Sequence, residues 1–169
     1  MKRTIIAIVG PSGCGKTTLA NYLCQHHNIP TIISYTTRPM RPGEQDGVEH
    51  LFVTEEQMPS KDVMLAYTQF GGHHYWANKA QVPQYRPCTY IIDERALVEM
   101  QRKFQLEFRI IPIYIRRDVK NLTDIDEERQ KRDEERVRLA DHFYSAIIVN
   151  NGSLEDFFKN ATHIIKSFL

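Results

Sequence analysis

Cysteine, tryptophan and net charge are all scarce in this 169-residue chain, with three Cys, one Trp and a net charge of +1. Cys14, Cys24 and Cys88 form no CxxC pair and no Cys/His spacing of the zinc kind. An odd number of cysteines is a poor disulfide framework, so a reduced thiol set is expected. No apolar run approaches the roughly 18 residues that suggest a spanning helix, which excludes a membrane-embedded chain of that type. Twenty-two Lys+Arg stand against 21 Asp+Glu, a balance that advertises neither a nucleic-acid nor a membrane surface. Thr4 to Val9, after Met1-Lys2-Arg3, is too short for the ~7–15-residue core of a signal peptide and ends in glycines rather than a cleavage site. A cytoplasmic protein is expected. His26-His27 and His73-His74 are adjacent pairs; neighbours do not share a helical face, which makes the first pair a weak metal candidate, and the histidines read as surface or half-buried side chains. What is present is ordinary: 41% hydrophobic and 25% charged residues, in a length that suits one soluble domain.

Thr4 to Val9 is a β-branched apolar run, the pattern of a strand buried on both faces. A helix is expected from about Gly15 to His27, with Leu19, Tyr22 and Leu23 inward, stopped by Asn28-Ile29-Pro30. Thr31 to Ser34 reads as a strand, followed by a long polar stretch from Thr36 to Glu49, and such stretches are usually functional or disordered. Between about His50 and Pro83, strand-like pieces (Leu51 to Val53, Val63 to Phe70) flank Gly71-Gly72 and read as a small β-rich insertion. Then strand and helix alternate: Thr89 to Ile92, Glu94 to Phe104, and Phe108 to Ile115, where Pro112 suggests an edge or a bulge. A charged helical segment is expected from about Asp124 to Tyr144, a last strand over Ala146 to Val149, and a closing helix over Ser153 to Phe168. Ser153 with Asp156 makes a capping box, and Phe157, Ala161, Ile164, Ile165 and Phe168 share one face. The alternation implies an α/β fold with a parallel sheet.

Gly10-Pro11-Ser12-Gly13-Cys14-Gly15-Lys16-Thr17, followed by Thr18, fits G-x-x-x-x-G-K-[ST] and sits between a strand and a helix. Glycines let backbone N–H groups converge on an anion, and the helix N-terminus adds its dipole. Lys16 would reach the β- and γ-phosphates and the Thr17 hydroxyl a Mg²⁺ ion. A Gly-rich turn with a solvated lysine is the bland alternative; the strand–loop–helix context favours a nucleoside triphosphate site. Asp93, at the end of Tyr90-Ile91-Ile92, suits two roles: the acid of a Mg²⁺ shell, directly or through water, or the N-cap of the helix beginning at Glu94.

Ser34-Tyr35-Thr36-Thr37-Arg38-Pro39-Met40-Arg41-Pro42-Gly43-Glu44-Gln45-Asp46-Gly47 places two arginines among hydroxyls. Guanidinium forks bind phosphate oxygens bidentately, so a second phosphate site is expected, against the alternative of a solvated loop with a surface ion pair. This string resembles the signature of the guanylate kinase family, S-x-T-T-R-x-x-R-x-G-E-x-x-G. GPSGCGKTTL, Gln69 to Tyr75 and Ala146 to Asn151 are similar to further segments of that family. The resemblance implies a P-loop NTPase three-layer core (about 1–32, 84–115 and 145–169), an NMP-binding insertion (about 33–83) and a short helical lid (about 116–138). It implies ATP- and Mg²⁺-dependent phosphoryl transfer to a nucleoside monophosphate, with GMP first. Ser34, Arg38, Arg41 and Tyr75 would hold the acceptor phosphate, and Glu44 would orient the arginines. His50 stands where the family has a phosphate-contacting Tyr. Ala66-Tyr67 and Trp76-Ala77 replace the family's guanine-reading Glu and Gly-Ser, and its Asp-x-Asp is reduced to Asp93-Glu94-Arg95. A different nucleotide or a sugar phosphate as acceptor, or a non-catalytic binding module, are the alternatives.

Residues 116–138 hold eight basic and eight acidic side chains. A solvated helix laced with i,i+4 pairs is one reading. The other is the lid: Arg129, Arg132 and Arg136 at i, i+3 and i+7 would share a helical face and meet the transferring phosphoryl group. The expected partners are ATP and a nucleoside monophosphate, with no nucleic acid and no membrane, in a monomer or homodimer.

Overall fold

The computed structural model describes residues 2–121 and 127–169, leaving aside the side chains of residues 119, 128–130 and 132. The apolar run becomes β1 (Arg3–Val9), whose Ile5 to Val9 are completely buried or nearly so. It can be buried on both faces because it is the middle strand of a five-stranded sheet. With β2 (Thr31–Ile32), β7 (Cys88–Ile91), β8 (Phe108–Arg116) and β9 (Ala146–Val149), the order is β2-β7-β1-β8-β9 and every pairing is parallel. Parallel strands need crossovers: α1 (Lys16–His27) leads from β1 to β2 and α2 (Glu94–Phe104) from β7 to β8, while α4 (Leu154–Lys166) follows β9 and packs back on the sheet. Leu19, Leu23, Phe157, Ala161 and Ile165 cover one face of the sheet with Ile6, Ile8 and Ile113. On the other face Leu97 and Met100 of α2 meet Ile5, Ala7 and Tyr90. The result is a three-layer α/β core.

The insertion is a second sheet, ordered β4-β3-β6-β5 from β3 (Tyr35–Thr36), β4 (Leu51–Phe52), β5 (Met64–Phe70) and β6 (His73–Asn78). Gly71 and Gly72 join β5 to β6 with φ of +57° and +79°, the two positive values a type I′ hairpin turn requires. Leu65, Ala66 and Ala77 of this sheet belong to the same apolar cluster as α2 and β7. The strand expected over Thr31 to Ser34 stops at Ile32, because the Ser34 carbonyl already accepts from Leu51 N–H (2.9 Å) at the start of the second sheet.

Two expectations are corrected. Pro112 lies neither on an edge strand nor at a bulge: β8 sits between β1 and β9. Its missing N–H is tolerated because β9 pairs only from Ile113 onward, while its carbonyl accepts from Ser145 N–H at 2.8 Å. The helix expected over 124–144 is much shorter as described. α3 spans Glu127–Glu134, and Arg136 lies beyond its last residue, so the arginine face does not extend that far. α3 carries no apolar residue to pack against the core, and helical stability in proteins comes mostly from such packing. Residues 124–126 lie outside the described residues.

Candidate active site

The P-loop lies between β1 and α1, at the carboxyl end of the central strand. Gly10 is obligatory for space: a Cβ there would stand 2.6 Å from Cys14 Sγ and 2.7 Å from the Ile115 carbonyl. Gly13 and Gly15 have φ of +72° and +104°, which only glycine adopts readily. Asn150, at the end of β9, buttresses the turn by donating from Nδ2 to the Cys14 carbonyl at 2.8 Å. Cys14 is inaccessible; burial pushes its thiol pKa up against the lowering pull of Lys16. Lys16 Nζ donates to the carbonyls of Gly10 and Pro11, both at 2.7 Å. Thr17 and Thr18 are exposed on the first turn of α1, which no side chain caps.

The expected acceptor loop is organised around Glu44. Its carboxylate takes a two-pronged contact from Arg38, Nη1 to Oε2 at 3.0 Å and Nη2 to Oε1 at 2.8 Å, and accepts the Arg41 backbone N–H at 2.7 Å. The Arg38 hydrogen bond holds the Glu44 carboxyl below its ordinary range, against burial and with help from Arg41. Burial alone would lower the pKa of Arg38, which is 7% exposed; its bonds to Glu44, with a further one to Tyr75, outweigh this and raise it. His50 packs edge-on against Tyr75 (centroids 5.7 Å apart) and Phe52. Ser34 Oγ donates to the Tyr90 hydroxyl at 3.5 Å. Arg38 and Arg41 line a cleft of about 560 Å³ with Phe70 and His73 of the hairpin, Lys131 of α3 and Glu135 just after it.

Asp93 is bound up in the fold. Oδ1 caps α2 by accepting Ala96 N–H at 2.9 Å, and Oδ2 accepts the Thr68 hydroxyl at 2.8 Å. Arg136 is also tied into the fold. It forks onto Glu94, with Nε to Oε2 at 2.7 Å and a second contact from Nη2 to Oε1, and Glu94 is 1% exposed. Burial opposes the charge of Arg136, yet the Glu94 hydrogen bond and charge raise its pKa. The side chains of Arg129 and Arg132 lie outside the described residues. Three groups at the site escaped the sequence reading: Glu94, Asp133 and Arg117. Asp133 Oδ2 accepts Ser12 N–H at 2.9 Å, and Arg117 Nη1 donates to the Gly13 carbonyl at 3.4 Å. Asp133 and Arg117 meet backbone groups more than a hundred positions away, and Glu94 meets a side chain 42 positions on, so no local motif could signal them.

A guanylate kinase family model matches residues 1–168. The chain belongs to the guanylate kinase family. It is similar to the guanylate kinase of Nitrosococcus oceani, 42% identical over 86 residues that cover 48% of this chain and 42% of that protein. It is similar to the guanylate kinase of Sus scrofa, 34% identical over 120 residues, 65% of this chain and 58% of that protein. The chain thus spans about half the length of the curated relatives it matches. The crystal structure of guanylate kinase from Anaplasma phagocytophilum covers 97% of this chain and 85% of its own, with a TM-score of 0.68 and 21% identity. That likeness speaks for the fold alone. Of the residues that depart from the guanylate kinase pattern at the base-reading positions, Ala66 (6% exposed), Trp76 (1%) and Ala77 (0%) are buried and Tyr67 is half-buried. Trp76 stacks on Tyr35 with centroids 5.5 Å apart, and both alanines sit in the apolar cluster.

Proposed function

We propose that the chain transfers the γ-phosphoryl group of ATP to a nucleoside monophosphate, GMP first. The observation that carries this reading is the short bridge between two anion-binding features. Asp133 touches the P-loop at Ser12, while Lys131 and Glu135 beside it line the cleft with Arg38 and Arg41. Donor and acceptor phosphates would therefore meet under α3. The acceptor phosphate is ionised at neutral pH and is itself the nucleophile: its oxygen forms the new P–O bond as the bond to the ADP leaving oxygen breaks. No side-chain base is needed, and the work left to the chain is positioning and charge neutralisation. Lys16 and the loop N–H groups would hold the donor, Arg41 and Tyr75 the acceptor, and Glu44 and Arg38 the loop.

Mg²⁺ fits the exposed Thr17 hydroxyl, a hard oxygen donor beside the phosphate cradle. It would neutralise phosphate charge when bound. Asp93 is a weaker candidate, since both its oxygens have partners within the fold.

A second reading keeps the chemistry and changes the acceptor, since Ala66 and Ala77 offer no side-chain hydrogen bond to a base and sit in the core. ADP release measured over GMP, AMP, UMP and CMP decides it: equal rates with GMP and the others overturn the GMP assignment. Lys16→Ala is expected to abolish turnover with little change in urea midpoint. Arg41→Ala is expected to raise the acceptor KM, and an unchanged KM contradicts its role.

A further inference from the structure

The contact between Asp133 and Ser12 joins residues 121 positions apart and puts a carboxylate on the P-loop. Convergent backbone N–H groups in such a loop are seats for anions. A carboxylate oxygen accepting from one of them holds the place of an anion, not of a metal ion, which an N–H dipole repels. Ser12 is 7% exposed and Asp133 half-buried, so the bond is partly shielded from water. Three residues on, Arg136 grips the buried Glu94 and lies over the Tyr114 ring at 5.7 Å. The same short stretch is therefore tied to the loop by an acid and to the core by a base.

We propose that Asp133 is an internal competitor of the donor triphosphate, a carboxylate held on the Ser12 N–H that the phosphates must displace before the loop can close around them. This rests on the loop being a triphosphate site. Two effects work in the same direction. The carboxylate takes a donor that the ligand needs, and its charge repels the ligand's own. Glu94–Arg136 keeps the stretch against the core while the acid leaves, so the displaced carboxylate stays close enough to return when the loop empties.

The test is calorimetric titration of inorganic tripolyphosphate and of ATP into the full chain, without acceptor, with Mg²⁺ and with EDTA. Wild type is compared with D133A, D133N and K16A, each first checked for an intact thermal transition. D133A is expected to bind both ligands about tenfold more tightly, equivalent to about 1.4 kcal/mol. D133N is expected to fall between, because its amide oxygen still accepts from Ser12 while the charge is gone. In wild type, added tripolyphosphate is expected to speed amide exchange in 131–136, and in D133A the exchange is already fast. Affinity in D133A and D133N equal to or weaker than wild type overturns the proposal. So does weakening seen only with Mg²⁺, which makes Asp133 an acid of the metal shell. If neither ligand binds wild type or D133A, and K16A behaves identically, the triphosphate reading of the loop fails too.

Discussion

Glu44 shows how one carboxylate can set two arginines. It neutralises Arg38 inside the loop and fixes the Arg41 backbone, which leaves Arg41 to present its side chain to the cleft. Glu44→Gln removes the charge while keeping the shape. With Arg38 only 7% exposed, the loss is expected to destabilise the chain by about 1.5–3 kcal/mol, the range for hydrogen bonds to charged groups. The acceptor KM should rise about tenfold at the same time, through a loosened Arg41. A pH effect follows from the same pair. Because the folded pKa of Glu44 lies below its ordinary 4.5, its stabilising contribution is complete above 4.5 and is lost as pH falls through the lower folded value. Acid unfolding of wild type and Glu44→Gln should therefore converge below pH 4.5 and separate above it. Parallel curves across that window would remove Glu44 as the cause. The contact of Glu44 with both arginines was legible in the sequence, because Glu44 falls within six residues of each. Asp133 was not, because its partner is a backbone N–H brought near only by the fold.

Elements with strong end signals fell where their sequence put them. α2 starts and stops at the expected residues, with Asp93 as its N-cap, and α4 has Ser153 accepting Asp156 N–H and donating to the Asp156 carboxylate. α3, Glu-Glu-Arg-Gln-Lys-Arg-Asp-Glu, has no apolar face to read, and the run of charged residues overstated its length. Asp93 separates the two roles its position allowed. Asp93→Ala is expected to cost about 1–2 kcal/mol through the lost cap and the stranded Thr68 hydroxyl. Asp93→Asn, an equally good cap, should restore most of that stability. If Asp93 is structural only, both variants keep the Mg²⁺ dependence of triphosphate binding. A rise in the Mg²⁺ needed by a fully folded Asp93→Asn would return the residue to the metal shell.

Across the whole molecule, the question is whether the insertion sheet is an attached lobe or part of the core. The proposed acceptor loop joins β3 to β4 on one side of this sheet, yet the other side is not peripheral: Leu65, Ala66 and Ala77 of β5 and β6 pack with Leu97, Met100 and Tyr90 in one cluster. Thr68 adds a hydrogen bond to the cap of α2. Such continuity couples the two sheets energetically, because the buried surface of each is completed by the other. The single tryptophan gives a local probe, since Trp76 lies in β6 and is 1% exposed. Urea unfolding followed by Trp76 fluorescence and by far-ultraviolet circular dichroism should give coincident midpoints, the signature of one cooperative unit. Leu65→Ala, at a site 1% exposed, should lower stability by about 2–5 kcal/mol, the usual range for emptying a buried leucine site. It should move both curves together. Were the fluorescence transition alone to shift, the insertion would unfold independently, and acceptor-side substitutions could be interpreted without reference to the P-loop core. Coincident shifts mean that the inner end of the acceptor-carrying sheet is anchored by the same packing that holds β1, and with it the start of the P-loop.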